Sequence, residues 1–298
     1  MNLFSLLLAA VAIVGPYRKA PYVGAISLDA DEGRVLFEDK ADQKAFPASV
    51  TKLMTALLVL EDIAAGKLAL NDVIVVPPEK NKSDKHFRQA SCTGLEVGSS
   101  MTVEEMLKSL MVNSANDAAL FLAERCSGSV PLFVERMNAK AGELGMTATK
   151  YYNPNGLPPP PFEKVRNFNY STCRDQAKLA CALLKEHPEI LAYTSLKTWD
   201  VTSLGRPFCD RKSGEQIRWV NHNNVMVKNK LKVINPDGSE AVDGLKTGYI
   251  DAGGSSVVLT GKRGKKRVVT VVLGSASSAL RDDNASRLLA DALDALVW

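Results

Sequence analysis

Two residue types that often carry chemistry are scarce in this chain of 298 residues, which has five cysteines and three histidines. Cys92, Cys126, Cys173, Cys181 and Cys209 are too few and too scattered for a disulfide scaffold, no CxxC pair suggests zinc, and the odd count leaves at least one free thiol. Cys173 and Cys181 fall on one expected helix roughly 12 Å apart, beyond disulfide reach. A Ser-His-Asp triad would have to draw on His86, His187 or His222, and no GxSxG elbow accompanies them. His86 lies in a polar loop and His187 precedes Pro188 in a helix-ending turn, so both read as structural or exposed. Charge is modest too. A formal net charge of +4 is far from the basic density of a nucleic-acid binder, and the basic stretch from Lys262 to Arg267, between two β-branched runs, reads as a solvated hairpin tip. The apolar run in MNLFSLLLAAVAIVG is short for a membrane span but has the length of a signal-peptide core. Residues 1–21 are therefore expected to be a signal peptide or an N-terminal membrane anchor.

What is present is ordinary globular material, 46% hydrophobic and 23% charged, enough to bury a sizeable core. Residues 22 to 38, YVGAISLDADEGRVLFE, read as two strands around an Asp-Glu-Gly turn. From Ser49 to about Leu191 the apolar spacing becomes helical, with a capping box at Thr102 and Glu105. The stretch LPPPPF at 157 to 162 interrupts it as a stiff extended loop. Strand signals return in KTWDVTS, GEQIRWVN, SSVVLTG and KRVVTVVLGS before a last helix, DDNASRLLADALDALV. The expected fold class is α+β: one antiparallel β-sheet built from both ends of the chain and flanked by helices, with a large helical insertion over about 50–195. The crevice between sheet and helices is the expected place for a site.

Within FPASVTKLMTALLVLED, Ser49 and Lys52 stand one helical turn apart on a shared face at the start of an apolar helix. Taken alone the pair reads as a helix cap and an exposed lysine. A lysine buried there, with its pKa lowered, could instead take the serine proton and make the hydroxyl a nucleophile. Two more motifs follow in the chain, Ser114-Ala-Asn116 at the hinge of a helical stretch and Lys246-Thr-Gly248 in a strand-like segment. SxxK, SxN and KTG together are the signature of penicillin-binding proteins and serine β-lactamases.

The resemblance extends to whole blocks. FPASVTKLMTALLVLED, MVNSANDAALFLAE, MNAKAGELGMTATKYYNPNGL, NYSTCRDQAKLACALL and VDGLKTGYIDAGGSSVV resemble those of the D-alanyl-D-alanine carboxypeptidases, the low-molecular-mass penicillin-binding proteins, over about residues 22 to 296. The resemblance implies a DD-peptidase domain over 22–298 with the serine β-lactamase-like fold. It also implies Ser49 as the acylated nucleophile, Lys52 as its base, Ser114 as the relay of a proton to the leaving amine, and Asn116 as the group that holds Lys52 and the substrate amide. Lys246 would depress the pKa of Lys52 and attract the substrate carboxylate, Thr247 would hydrogen-bond that carboxylate, Gly248 would admit close approach, and Arg281 would help to bind it. The backbone N–H groups of Ser49 and Tyr249 would form the oxyanion hole. The implied partners are a peptidoglycan stem peptide ending in D-Ala-D-Ala and β-lactams as covalent inhibitors, outside the cytoplasm, with no cofactor, metal or nucleic acid.

Three departures stand out. The middle motif is SAN where β-lactamases have SDN and carboxypeptidases usually SGN. Tyr249-Ile250 follows KTG where a threonine is common in the second place. The chain stops at Trp298 without the β-rich second domain and C-terminal amphipathic anchor of many relatives, so attachment to a membrane is expected only through the N-terminal segment. His222, in VNHNNVM, lies in a segment resembling the family's NTN stretch and is expected to line the cleft without being the base. A DD-endopeptidase that cuts cross-links is the nearest alternative, and an acylated β-lactam sensor without turnover is a further one. A class A β-lactamase would need the ExxLN carboxylate motif, which is absent between Asn116 and Lys246.

Overall fold

A computed structural model describes residues 22–77, 91–159, 167–228 and 233–296. The N-terminal segment 1–21, His86 and the end of the proline stretch lie outside the described residues. The Asp-Glu-Gly turn closes a hairpin between β1 (Gly24–Asp29) and β2 (Val35–Asp39). The Asp29 carboxylate accepts from the backbone N–H groups of Asp31 and Glu32, the short-range bonding that makes Asp a turn former. A 3₁₀ turn, Ala48–Thr51, runs straight into α1 (Lys52–Ala64). A small pair follows, β3 (Val73–Val75) with β4 (Ser100–Thr102), and then α2 (Val103–Val112). The capping box is formed: Glu105 N–H donates to Thr102 Oγ1 while the Glu105 carboxylate accepts from Thr102 N–H. Helices α3 (Asn116–Ser127), α4 (Val130–Glu143), α5 (Cys173–Glu186) and α6 (Leu191–Thr194) complete the helical part.

The chain then makes β5 (Thr198–Asp200), β6 (Thr202–Ser203), β7 (Arg206–Pro207) and β8 (Arg218–Val220), a short α7 (Asn224–Lys228), strands β9 (Val242–Ile250), β10 (Gly254–Arg263) and β11 (Lys266–Ser275), and α8 (Ser278–Ala295). The main sheet has five antiparallel strands in the order β2-β1-β11-β10-β9. Its two faces carry alternate residues. Ile26, Val258 and Val271 face the helices with Leu53, Leu57 and Leu110, while Ala25, Val257 and Val272 face α8 with Leu288 and Leu289. The basic hairpin tip is where the sequence put it, in the β10–β11 turn.

One expectation is corrected. The strands of 198–220 do not join the main sheet; β5 pairs with β8 and β6 with β7 in separate two-stranded sheets. The reason is a competing partner on α2. The Glu105 carboxylate that caps α2 also accepts from Thr202 Oγ1 and from the N–H groups of Leu204 and Gly205. That carboxylate docks the β6–β7 hairpin onto the helices, and Trp199 and Trp219 close the β5–β8 pair edge-to-face at 5.4 Å. One of the two edges of the main sheet is β9, the strand that carries Lys246, Thr247 and Gly248. Among the described residues, no helix is long and apolar enough to cross a membrane, and no group of His, Cys, Asp and Glu is placed to hold a metal ion.

Candidate active site

Ser49 sits in the 3₁₀ turn rather than in α1 itself, and the turn is wedged between two glycines. Ala48 takes a positive φ of 50°, unusual for a residue with a β-carbon. The space its carbonyl fills exists because residue 156 has no side chain: a β-carbon on Gly156 would lie 1.9 Å from Ala48 O. On the other side, a β-carbon on Gly248 would lie 3.0 Å from Ser49 N and 2.5 Å from Pro47 O. The absence of a side chain at 248 therefore lets strand β9 lie directly against the serine's backbone.

Lys52, the first residue of α1, is fully buried, and its Nζ lies 2.8 Å from each of three oxygens: Ser49 Oγ, Asn116 Oδ1 and Asn155 O. The Asn116 amide is oriented by its own Nδ2, which donates to Ser91 O. Two of the three oxygens, those of Asn116 and Asn155, can only accept. A neutral amine has two N–H bonds and one lone pair, so these acceptors take both N–H bonds and leave the lone pair facing the serine hydroxyl. Burial drives the pKa of Lys52 well below its ordinary value, and the neighbouring charge of Lys246 drives it further, with the carboxylate of Asp117 opposing. The neutral form that the geometry favours is the form that burial favours.

Lys246 is also buried, at 2% exposure, and donates to Thr247 O. Burial and then Arg281 push its pKa down to about 7. Arg281, in the first turn of α8, is itself buried and donates from Nε and Nη2 to Asp282 Oδ1. Thr247, next to Lys246 in sequence, is buried, whereas Tyr249 is 62% exposed and donates its hydroxyl to Asp251. Ser114 takes a positive φ of 58° in the link between α2 and α3, which turns Asn116 inward at the start of α3. Among the described residues no hydrogen bond joins the Ser114 hydroxyl to Ser49 or Lys52, so the structure brings Ser49, Lys52 and Asn116 into direct contact and leaves Ser114 close in sequence but unbonded.

His222 still reaches solvent, yet burial first, and then Lys246, Lys52 and Arg281, hold its pKa down at about 4. It lines the cationic cleft as a neutral ring. His187 is buried at a helix end, with Nδ1 3.0 Å from Glu189. None of the five cysteines is in a disulfide, and the Cys92 thiol is pushed up to about 12 by burial and by Asp117, which leaves no thiolate to compete with Ser49.

Three contributors escaped the sequence reading. Asn155 acts through its carbonyl oxygen, for which no side-chain pattern gives a signal, although the Asn-Pro-Asn-Gly run at 153–156 is a turn signature that places it. Asn169 ties the same turn down, donating from Nδ2 to Thr51 Oγ1 and Asn153 O. Asp117 accepts from Thr93 N and Oγ1 and thereby fixes the segment whose Ser91 carbonyl orients Asn116.

Known proteins resemble this chain. A family model described as D-alanyl-D-alanine carboxypeptidase matches residues 21–277. The chain is similar to D-alanyl-D-alanine carboxypeptidase DacF of Bacillus subtilis (strain 168), with 32% identity over 89% of this chain and 60% of that protein. It is also similar to D-alanyl-D-alanine carboxypeptidase DacC of Escherichia coli (strain K12), with 30% identity over 91% of this chain and 62% of that protein. The chain thus spans about three fifths of the length of these relatives. Among solved structures, penicillin-binding protein D2 from Listeria monocytogenes in its cefotaxime-bound form superposes with a TM-score of 0.73 at 26% identity, covering 92% of this chain and 97% of that one.

Proposed function

This chain belongs to the family of D-alanyl-D-alanine carboxypeptidases, and we propose that it is a serine peptidase that removes the terminal D-alanine from peptidoglycan stem peptides. The observation that carries the reading is the set of three oxygens around Lys52 Nζ. With both N–H bonds of the neutral amine held by Asn116 and Asn155, its lone pair accepts the Ser49 proton as Oγ attacks the carbonyl carbon of the penultimate D-alanine. A C–O bond forms and the carbonyl oxygen becomes an oxyanion, held by the N–H groups of Ser49 and Tyr249, a contribution worth about 3–4 kcal/mol per donor in comparable sites. Collapse breaks the C–N bond. The leaving amine takes a proton through Ser114, free D-alanine departs, and water hydrolyses the Ser49 ester.

The carboxylate of the departing residue fits the charge of the cleft. Lys246 and Arg281 supply positive charge on the side of Thr247, and no described carboxylate pairs with Lys246. The same charges suit the carboxylate of a β-lactam, which would acylate Ser49 in the same way. Such a substrate lies outside the cytoplasm, so the domain would work in the cell envelope. Incubation with a pentapeptide ending in D-Ala-D-Ala, with free D-alanine measured, tests the reading. Release that depends on Ser49 is the expected result, and an intact pentapeptide overturns it.

A further inference from the structure

Strand β9 gives the substrate a direction. If the departing carboxylate lies by Lys246, Thr247 and Arg281 and the scissile carbonyl by Ser49, the acyl part of the peptide must run on past Tyr249 toward the turn at 251–253. At that end of the sheet the structure holds a crevice of about 500 Å³ that none of Ser49, Lys52, Asn116, Lys246 and Arg281 lines. Phe46, three residues ahead of Ser49, forms one wall, stacked on Phe168 at 4.9 Å, and Gly253 packs so close that its β-carbon would lie 2.9 Å from Phe46 Cβ. Tyr170 lines the same space, and the Lys44 ammonium sits 4.7 Å above its ring.

Two polar groups stand at the crevice. Ser275 lines it at 2% exposure, and its hydroxyl has no hydrogen-bond partner among the described residues, an arrangement that leaves a buried polar group's desolvation uncompensated. Lys44 has no carboxylate partner among the described residues either, and its ammonium rests on the tyrosine ring. Apolar and aromatic walls and a cation at the rim match a peptide segment that offers a carboxylate.

We propose that this crevice is the acyl-side subsite, taking the stem-peptide segment ahead of the scissile bond, with Lys44 pairing an acidic residue of that segment. The proposal rests on the peptidase reading above. The test compares two peptides ending in D-Ala-D-Ala that carry upstream either an acidic residue or its amide, through the ratio of their kcat/KM values. The unaltered enzyme should favour the acidic peptide about fivefold, the size of a solvent-accessible charge pair. Lys44→Gln should bring the ratio to about one, Lys44→Glu should invert it, and Lys44→Arg should restore it. Because each ratio is taken within one variant, partial loss of folded protein cancels. A ratio that stays the same in all four proteins overturns the subsite while D-alanine release still stands. No D-alanine release from either peptide by the unaltered enzyme overturns the peptidase reading, and the subsite with it.

Discussion

Gly156 and Ala48 meet so closely that a β-carbon at 156 would stand 1.9 Å from the Ala48 carbonyl oxygen, with Gly156 at a φ of 82°. The turn that presents Ser49 is thus held in place by the missing side chain of a residue more than a hundred positions away. Gly156→Ala should cost about 3 kcal/mol or more, combining left-handed strain with a backbone clash that cannot relax, and should cut acylation of Ser49 sharply. Gly66→Ala is the matched control, with φ at 68° but nothing within 4 Å of its β-carbon. It should cost about 1–2 kcal/mol and leave acylation rates alone. Thermal unfolding and β-lactam acylation rates on both variants check this, and equal effects would contradict it.

Lys246 makes activity and stability depend on pH in opposite senses. Its folded pKa of about 7 lies below its ordinary 10.5, so the unfolded chain binds the extra proton between those values, and stability falls as pH drops through that window. Lys246→Met removes the penalty. It should stabilise the fold by roughly 2 kcal/mol or more near pH 6, with the gain fading toward pH 10. Activity should fall at the same time, because binding of an anionic substrate needs the ammonium. In the unaltered enzyme, kcat/KM should decline as pH rises through about 7, the free-enzyme value that this parameter reports. The variant should lack that alkaline decline, and its acid limb should move up in pH, since the charge that depresses Lys52 has gone. Urea melts and pH profiles of both proteins are the measurement.

Asp117 acts on Lys52 in the reverse direction. Its charge raises the Lys52 pKa, and its carboxylate holds Thr93 and the Ser91 segment that orients Asn116. Asp117→Asn should therefore move the acid limb of kcat/KM to lower pH while lowering kcat about tenfold through slack in Asn116. A rate loss without the shift in the limb would mark Asp117 as a scaffold residue with no electrostatic hold on Lys52.

The sequence carried the site further than it carried the sheet. Ser49, Lys52, Asn116 and Lys246 were legible because hydroxyl, amine and amide at fixed spacings have few other reasons to recur in one chain, and the structure brings three of them within hydrogen-bond distance. Residues 198–220 read correctly as extended, but β propensity says nothing about which edge a strand will pair with. That choice fell to Glu105, a residue legible only as a helix cap, whose second oxygen had a further partner to find. The Asn155 carbonyl was invisible for a similar reason: every residue has one, and only the turn at 153–156 decides where it points.

Ser49 as the nucleophile that Lys52 activates is the centre of the chemistry. The direct measurement is the intact mass of the protein after incubation with penicillin, followed by peptide mapping, in the unaltered chain, Ser49→Ala and Lys52→Ala. The expected result is one covalent adduct per chain on the peptide that contains Ser49, none in Ser49→Ala, and acylation slowed by about 10²–10⁴ in Lys52→Ala. No adduct in the unaltered chain, or an adduct that persists in Ser49→Ala, would contradict it.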